Sequence, residues 1–310
     1  MDPLTGLLDG PRARGAFLLR SVFEPPYALR IEDRAPLTVV ALVGGTAWLV
    51  PDAAAPAMLR PGDVAVLRGP DGYLVADDPG TPPQVVIHPG QRCTTLRGEP
   101  LAESMALGVR TWGTGGSTVL LTGTYQLPGE VSRRLLGALP PLLVVPADEW
   151  RSPLVGLLAE EVTRDAPGQA AVLDRLLDLL LIGALRTWFG RPGTAPGWYR
   201  AAGDPVVGPA LRLVQNDPAR PWTVAALAAE VGASRAVLAR RFTDLVGEPP
   251  MAYLTGWRLA LAADLLREPD ATLGAVARRV GYASPYALST AFRRVRGISP
   301  SQHRIGAGTD

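Results

Sequence analysis

The chain has 310 residues, of which 47% are hydrophobic and 19% charged, and its formal net charge is +2. This length allows two or more ordinary cores, and the composition is too apolar for a broadly disordered protein. The single cysteine, Cys93, excludes an intrachain disulfide and a cysteine-rich zinc site, and the N-terminus lacks the pattern of an export signal. We therefore expect a multidomain protein of the reducing cytoplasm.

Residues 1–128 contain many short apolar or β-branched runs separated by turns, a pattern typical of a β-barrel or β-sandwich. The runs predict strands within residues 37–50, 63–67, 73–76, 84–87 and 118–125. From residue 129 to residue 190 the apolar spacing becomes helical and predicts a helical connector.

Within this connector, residues 170–189 are apolar enough to suggest a membrane span, but they include Asp174, Arg175, Asp178 and Arg186. Each charge at the centre of a bilayer costs about 2.5 to 3.5 kcal/mol, so we expect no insertion into a membrane. The helix is instead predicted either to pack on the barrel or to form part of a homodimer interface.

Residues 191–203 contain two Pro-Gly runs and are predicted to be a linker. The charge changes at the same place, because residues 204–310 hold 13 Arg and 9 acidic side chains, a net charge of +4, against −2 for residues 1–203. The linker therefore precedes a basic C-terminal domain, over residues 204–310, whose charge suits a nucleic-acid partner.

The C-terminal domain contains an internal repeat. The segment TVAALAAEVGASRAVLARRFTDLVGEPP from Thr223 recurs as TLGAVARRVGYASPYALSTAFRRVRGISP from Thr272. In each copy a Thr begins a short helix, a Gly follows its end, and a Ser begins a second helix after a tight turn. Residues 223–247 and 272–297 are therefore predicted to be helix-turn-helix units, separated by a continuous helix over residues 250–266.

The second helix of each unit is predicted to bury Leu238 and Phe242, or Leu288 and Phe292, and to expose a small, polar or basic face on the opposite side. Such a face suits insertion into the major groove of DNA. The candidate DNA-contacting residues are Arg235, Ala236, Ala239, Arg240 and Thr243 in the first unit, and Tyr286, Ser289, Thr290, Arg293 and Arg294 in the second.

Two spaced patterns give a further signal, one between the two copies of the repeat and one within the second copy. They are Pro250-x-x-Tyr253-Leu254-x-x-x-Arg258-Leu259-x-x-Ala262-x-x-Leu265-Leu266 and Gly281-Tyr282-x-Ser284-x-x-x-Leu288-x-x-x-Phe292-x-x-x-x-Gly297-x-x-Pro300. On these residues, segment 221–304 resembles the DNA-binding domain of the AraC/XylS family. The resemblance implies two recognition helices that read adjacent segments of promoter DNA, action through RNA polymerase, and a dimer formed by the N-terminal half. Family members often carry larger polar side chains where Ala236 and Ala239 stand, so base readout by the first helix is expected to depend on Arg240.

Residues 1–128 resemble the cupin-type ligand domain of one AraC subfamily. The cupin motif Gly-x5-Pro-x-Gly-x2-His falls on residues 62–73, where Arg68 replaces the proline, Pro70 the second glycine and Tyr73 the histidine. The chain has only two histidines, His88 and His303, so we expect no metal and no other cofactor. The predicted fold class is therefore α+β and multidomain: a cupin-like β-barrel that binds an unidentified small-molecule effector, a helical connector, and an all-α double helix-turn-helix domain.

Several barrel side chains are candidates for the sensing site. Arg30, Trp48, Arg68 and Tyr73 are candidates for a ligand pocket, the alternative for each being a side chain that fills space in the barrel. Cys93 lies in the segment HPGQRC near Arg92 and Arg97, where a thiolate of lowered pKa would sense oxidants or electrophiles. The alternative for Cys93 is an ordinary loop residue.

Three other functions fit parts of the sequence. The C-terminal domain would also suit a helical adaptor that binds no DNA, and the N-terminal domain would also suit a cupin enzyme fused to a helix-turn-helix domain. An Ada-like methyl-transfer regulator would need a zinc-binding cysteine cluster, which a single cysteine excludes. Salt-dependent retention of residues 204–310 on duplex DNA distinguishes a DNA-binding domain from an adaptor.

Overall fold

The computed structural model describes residues 17–125, 135–268 and 270–305. The chain divides into two compact units, and the division falls between Thr194 and Ala195. The described part of the N-terminal unit comprises residues 17–125 and 136–194, and that of the C-terminal unit includes residues 195–268 and 270–305. The predicted boundary between barrel and connector, at residues 128 and 129, lies outside the described residues.

The N-terminal unit contains two β-sheets that share one hydrophobic core. Its strands are β1 (Phe17–Phe23), β2 (Ala28–Ile31), β3 (Leu37–Gly44), β4 (Ala47–Pro51), β5 (Ala57–Leu59), β6 (Val64–Arg68), β7 (Tyr73–Ala76), β8 (Val85–His88), β9 (Arg92–Thr95), β10 (Ala106–Gly108), β11 (Thr111–Gly113), β12 (Thr118–Tyr125) and β13 (Leu142–Val145). One sheet has the order β10-β11-β1-β12-β3-β6-β13 and the other the order β5-β4-β7-β2-β8-β9. This is the cupin-like barrel that the sequence predicts.

All five predicted strand segments form β-strands, and one of the segments is divided into two strands. Residues 37–50 form two strands, β3 and β4, because the chain turns at Gly45 with φ of +75°. A Cβ at this position would lie 2.8 Å from the Thr118 Cα, so both the backbone angle and the close approach favour glycine.

Strand β13 contradicts the sequence-based prediction, which placed its residues in the helical connector. The run Leu-Leu-Val-Val is bounded by Pro140, Pro141 and Pro146, which favour short extended structure over a continuing helix. The run pairs antiparallel with β6, with Leu142 opposite Leu67. The connector prediction is therefore wrong for these residues, which complete one edge of the seven-stranded sheet.

Three helices follow β13: α1 (Ala147–Trp150), α2 (Leu154–Glu161) and α3 (Gln169–Gly190). Helix α3 buries Leu177 against Gly123 of β12, where an added Cβ would lie 2.3 Å from a Leu177 methyl carbon. The Tyr125 hydroxyl of the same strand donates a hydrogen bond to Asp178 at 3.2 Å. Helix α3 therefore packs on the barrel, and none of the helices in the described ranges is long and apolar enough to cross a membrane.

The helices of the C-terminal unit are α4 (Gly197–Ala201), α5 (Val207–Asn216), α6 (Val224–Glu230), α7 (Arg235–Val246), α8 (Pro250–Leu265), α9 (Leu273–Arg279), α10 (Pro285–Arg296) and α11 (Pro300–Ile305). Helices α6 and α7 form the first predicted helix-turn-helix unit, and α9 and α10 form the second. Helix α8 is continuous, as predicted, and contributes Trp257 to the core of the first unit and Leu259 to the core of the second.

The predicted linker over residues 191–203 contains helix α4. Its Ala201 is fully buried in the first core, and Trp198 packs against the same core. Asp204, just after α4, accepts a hydrogen bond from Arg241 of α7 at 2.5 Å. The compact unit therefore begins at Ala195, before the residue at which the composition changes.

Candidate nucleic-acid interface and barrel cavity

The helices of each helix-turn-helix unit begin at the predicted N-cap residues. The Thr223 and Thr272 side chains accept hydrogen bonds from backbone N–H groups at 3.0 and 3.1 Å. Ser234 and Ser284 do the same for α7 and α10, at 3.2 and 3.1 Å. These caps satisfy N–H groups that the helices leave unpaired, so the four N-cap predictions are confirmed.

The turn inside each unit has the same backbone geometry in both copies. Gly232 and Gly281 are left-handed, with φ of +67° and +82°. The residue after each glycine donates its N–H to a carbonyl of the preceding helix, from Ala233 to Ala228 at 2.9 Å in the first copy. This hydrogen bond is that of a Schellman cap, and it sets the direction in which α7 and α10 leave the turn.

Helices α7 and α10 present the predicted faces. Leu238, Phe242, Leu288 and Phe292 are fully buried. The candidate residues lie on the other side of each helix, with Ala239 and Ser289 half-buried and the remainder exposed: Arg235, Ala236, Arg240 and Thr243 on α7, and Tyr286, Thr290, Arg293 and Arg294 on α10. Tyr286 is 81% exposed, although it is a large aromatic residue at the start of its helix.

Two arginines of this unit make structural contacts that were not predicted from the sequence. Arg241 pairs with Asp204, so its side chain faces α4 and not the exposed face of α7. Arg258 of α8 donates hydrogen bonds to the Pro218 carbonyl at 2.6 Å and to the Arg220 carbonyl at 2.8 Å. Burial of this guanidinium lowers the pKa of Arg258.

The Arg258 contact also explains the glycine in the second turn. A Cβ at Gly281 would lie 2.7 Å from the Ala219 Cα and 2.8 Å from an Arg258 nitrogen. The turn of the second unit is therefore packed closely against the segment that precedes the first unit, with Arg258 between them. The conspicuous arginine in the α8 pattern was the only sequence signal for this contact.

The barrel of the N-terminal unit contains a cavity of about 590 Å³, a volume that includes its opening to solvent. Both sheets contribute side chains to it, at alternating positions of the strands. The lining residues are Phe17, Leu19, Ser21, Phe23, Leu29, Ile31, Asp33, Tyr73, Val75, Ile87, Gln91, Cys93, Trp112, Leu120, Thr122 and Thr124.

Of the four predicted pocket residues, only Tyr73 lines this cavity. Its hydroxyl is buried beside Asp33, and burial raises the pKa of Tyr73 above its ordinary value. Arg30 instead pairs with Asp52 through two hydrogen bonds, at 2.7 and 2.6 Å, and holds the pKa of Asp52 below its ordinary value.

Arg68 and Trp48 also lie outside the cavity. Arg68 lines a separate small pocket and donates to the Leu136 carbonyl at 3.4 Å. Trp48 alternates along β4 with the fully buried Ala47 and Leu49, which directs its side chain away from the core. Arg30 and Trp48 are therefore not residues of this cavity, and Arg68 belongs to a different pocket, because which side chains of a strand point inward could not be predicted from the sequence.

The structure corrects the prediction for Cys93. This residue lies in β9 and not in a loop, and its side chain packs against the barrel core. Burial raises the pKa of the Cys93 thiol, so the expected lowering is wrong. Alternation along the strand places the exposed Arg92 on the opposite face, which removes one of the two cations that were expected to stabilise the thiolate.

Histidine, cysteine and carboxylate side chains do not gather into a possible metal site within the described ranges. His88 is half-buried, and its Nε2 lies 2.9 Å from the Thr94 hydroxyl.

Comparison with known proteins identifies both units. A cupin family model matches residues 2–190, and a helix-turn-helix domain model matches residues 227–305. A putative AraC-like transcription regulator of Streptomyces lividans is 34% identical over 98% of both chains, and one of Streptomyces antibioticus is 39% identical over 64% of this chain and 67% of its own. The transcriptional regulator AlkR of Acinetobacter baylyi is 34% identical over 60% of this chain and 63% of its own. The chain therefore belongs to the AraC-like transcription regulators, with an N-terminal cupin domain and a C-terminal helix-turn-helix domain that binds DNA.

Proposed function

We propose that this regulator binds specific promoter sequences through α7 and α10, and that a small molecule in the barrel cavity controls the binding. The observation that supports DNA binding is the repeated capped turn. It orients α7 and α10 so that each exposes a small, polar or basic face. An adaptor that used these helices for packing would have no need to expose Arg240, Arg293 and Arg294.

We infer different roles for the two helices. On α7, the small Ala236 and Ala239 side chains allow close approach to the floor of the major groove, so Arg240 reads a guanine edge. Arg235 and Thr243 lie on either side of Arg240 along the same helix. On α10, Arg293 and Arg294 contact phosphates.

The remaining candidates on α10 complete this assignment. Tyr286, Ser289 and Thr290 lie on the same helix face, where they contact base edges and sugars.

We further propose that the barrel binds its effector without chemical change. Its cavity is mainly apolar, and apolar pockets with a few polar groups are typical of small-molecule sites. The regulator acts on RNA polymerase at the promoter, as the family resemblance implies, and this function implies a cytoplasmic location.

We also propose that the chain forms a homodimer through α2 and α3. Leu157, Val172 and Leu179 are exposed by 47%, 44% and 50% on these two helices, outside the face that packs on the barrel. Exposed apolar side chains on neighbouring helices favour contact with a second copy.

The DNA proposal is tested by selection of bound duplexes from a random pool with the full chain, followed by titration at several salt concentrations. We expect enrichment of one sequence, and an affinity that falls as salt rises because phosphate contacts release counterions. Equal affinity for enriched and scrambled duplexes would contradict sequence-specific binding.

A further inference from the structure

The barrel cavity has one apolar end and one polar end. In the six-stranded sheet, Leu29 pairs with Val75 at one end, and Ile31 pairs with Tyr73 at the other. Phe23 and Trp112 also line the cavity, and their rings meet edge to face at 5.8 Å. Asp33 follows Ile31, at the end opposite Leu29 and Val75.

In the seven-stranded sheet, Thr124 marks the polar end. It lies opposite Thr38 of β3, and the Thr38 side chain interacts with the Tyr73 hydroxyl from the other sheet. Leu120, four residues earlier on β12, lies at the mainly apolar end opposite Ser21, and Phe17 lies opposite Thr124 at the polar end. Asp33, Tyr73 and Thr124 therefore lie at the same end of the cavity.

Asp33 is the one formally charged side chain among the described residues that line the cavity. Its carboxylate oxygens accept hydrogen bonds from the Ala35 backbone N–H at 3.1 Å and from the Gln91 side-chain amide at 3.0 Å. The chain has no lysine, and none of the arginines in the described ranges pairs with Asp33. Within the described ranges Asp33 therefore has no ion-pair partner; Arg68 shares the neighbouring small pocket with it but does not line this cavity.

The Thr124 hydroxyl supplies a second, independent observation. Thr124 is 1% exposed, and its Oγ1 has no hydrogen-bond partner among the described residues. A buried hydroxyl without a partner is costly, so a hydrogen-bonding group of a ligand at this end would remove that cost.

We propose that the cavity binds a small, largely apolar molecule that ends in a protonated amino group. The ammonium lies against Asp33 and donates to Thr124, while the apolar body packs against Phe23 and Trp112. An apolar acid is excluded because its carboxylate would meet Asp33 without a cation between them. This inference rests on the proposed effector-binding role of the barrel.

The test compares three molecules with one chain length, namely octylamine, octanol and octanoate, binding to the full-length protein at neutral pH by calorimetry. Since hydrogen bonds to charged groups are stronger than neutral ones, we expect octylamine to bind about tenfold more tightly than octanol. Octanoate is expected to show no measurable binding. Asp33→Asn, which keeps the side-chain shape, is expected to reduce the amine-to-alcohol ratio to about one.

Asp78→Asn provides the matched control, because Asp78 is exposed outside the cavity and accepts the Gly80 N–H much as Asp33 accepts that of Ala35. This variant is expected to keep the tenfold ratio. The ranking of the three ligands on the unmodified protein tests the proposal even if Asp33→Asn does not fold.

Octanol or octanoate binding as tightly as octylamine would overturn the amine assignment and leave the cavity as a ligand site. An unchanged ratio in folded Asp33→Asn would do the same. Absence of binding by all three molecules would overturn the amine assignment together with the effector role of the barrel, but not the proposed binding of DNA.

Discussion

At the scale of single residues, the arginines of the C-terminal unit form two classes. Arg241 and Arg258 are held by contacts inside the unit, with Asp204 and with two backbone carbonyls. Arg240, Arg293 and Arg294 are exposed on α7 and α10, the proposed recognition helices. The distinction between the neighbours Arg240 and Arg241 depends on helix phase, and the sequence predicted that phase from the spacing of Leu238 and Phe242.

Arg240→Ala tests base readout. We expect it to cost about 1 to 3 kcal/mol of binding free energy on the selected duplex and to relax specificity there, because a bidentate contact to guanine is lost. Titrations on selected and scrambled duplexes measure both effects. Arg212→Ala is the control, since Arg212 is exposed on α5 outside the two recognition helices. An unchanged ratio between the two duplexes would refute the base-reading role of Arg240.

Arg293→Ala tests phosphate contact. We expect similar weakening on every duplex sequence and a decrease of about one in the slope of log affinity against log salt. The measurement is a salt series on the same two duplexes. A loss confined to the selected duplex would instead assign Arg293 to base readout.

The Cys93 thiol gives a prediction on pH. Because burial raises its pKa, the thiolate fraction at neutral pH is smaller than in a free cysteine, whose pKa is about 8.5. Alkylation by iodoacetamide should therefore be slower in the folded chain than in urea, and its rate should continue to rise at pH values where the unfolded chain has levelled off. Faster alkylation of the folded chain at neutral pH would restore the hypothesis of a redox sensor.

At the scale of elements, local patterns predicted most of what the structure contains. The caps, turns and buried pairs of α6, α7, α9 and α10 all depend on residues within one turn or two, so the sequence predicted them closely. Strand β13 and helix α4 were missed because each is too short to show a period. Their conformation depends on the partner that they pack against: β6 for β13 and α7 for α4.

Helix α3 carries the prediction on self-association. Its buried face packs on the barrel, and Leu179 lies half-exposed on the other side. Leu179→Glu is expected to weaken dimerisation of the full chain at least about tenfold, because it places a charge in an apolar contact. Sedimentation over a concentration series measures this. Ala171→Glu is the control on another exposed position of α3, and equal association of the two variants would contradict the proposed interface.

At the scale of the whole molecule, the two candidate sites differ in how far the sequence could predict them. The recognition faces each lie on one helix, so a helical period was enough. The polar end of the cavity joins Asp33, just after β2, with Tyr73 of β7 and Thr124 of β12, and it exists only through the pairing of β2 with β7 and of β12 with β3. No local pattern in the sequence encodes that pairing, which is why Asp33 and Thr124 were not candidates.

The C-terminal unit begins with α4, before the basic segment that starts at residue 204. Removal of residues 195–203 would expose the surface that buries Ala201 and partly buries Trp198, and it would remove the close approach of Gly197 of α4 to Leu245 of α7. Fragments 195–310 and 204–310 are both expected to fold and to bind the selected duplex. The shorter one should be less stable by about 2 kcal/mol and melt roughly 10 °C lower, since it loses buried apolar area.

Gly197→Ala in the longer fragment is the matched point variant, because its Cβ would lie 2.0 Å from the Leu245 carbonyl oxygen of α7. This substitution should reproduce much of the loss of stability without shortening the chain. Thermal unfolding followed by circular dichroism decides the matter. Equal melting temperatures for the two fragments would show that α4 is a linker that only rests on the unit. An unfolded longer fragment would show that the C-terminal unit depends on the barrel for its stability.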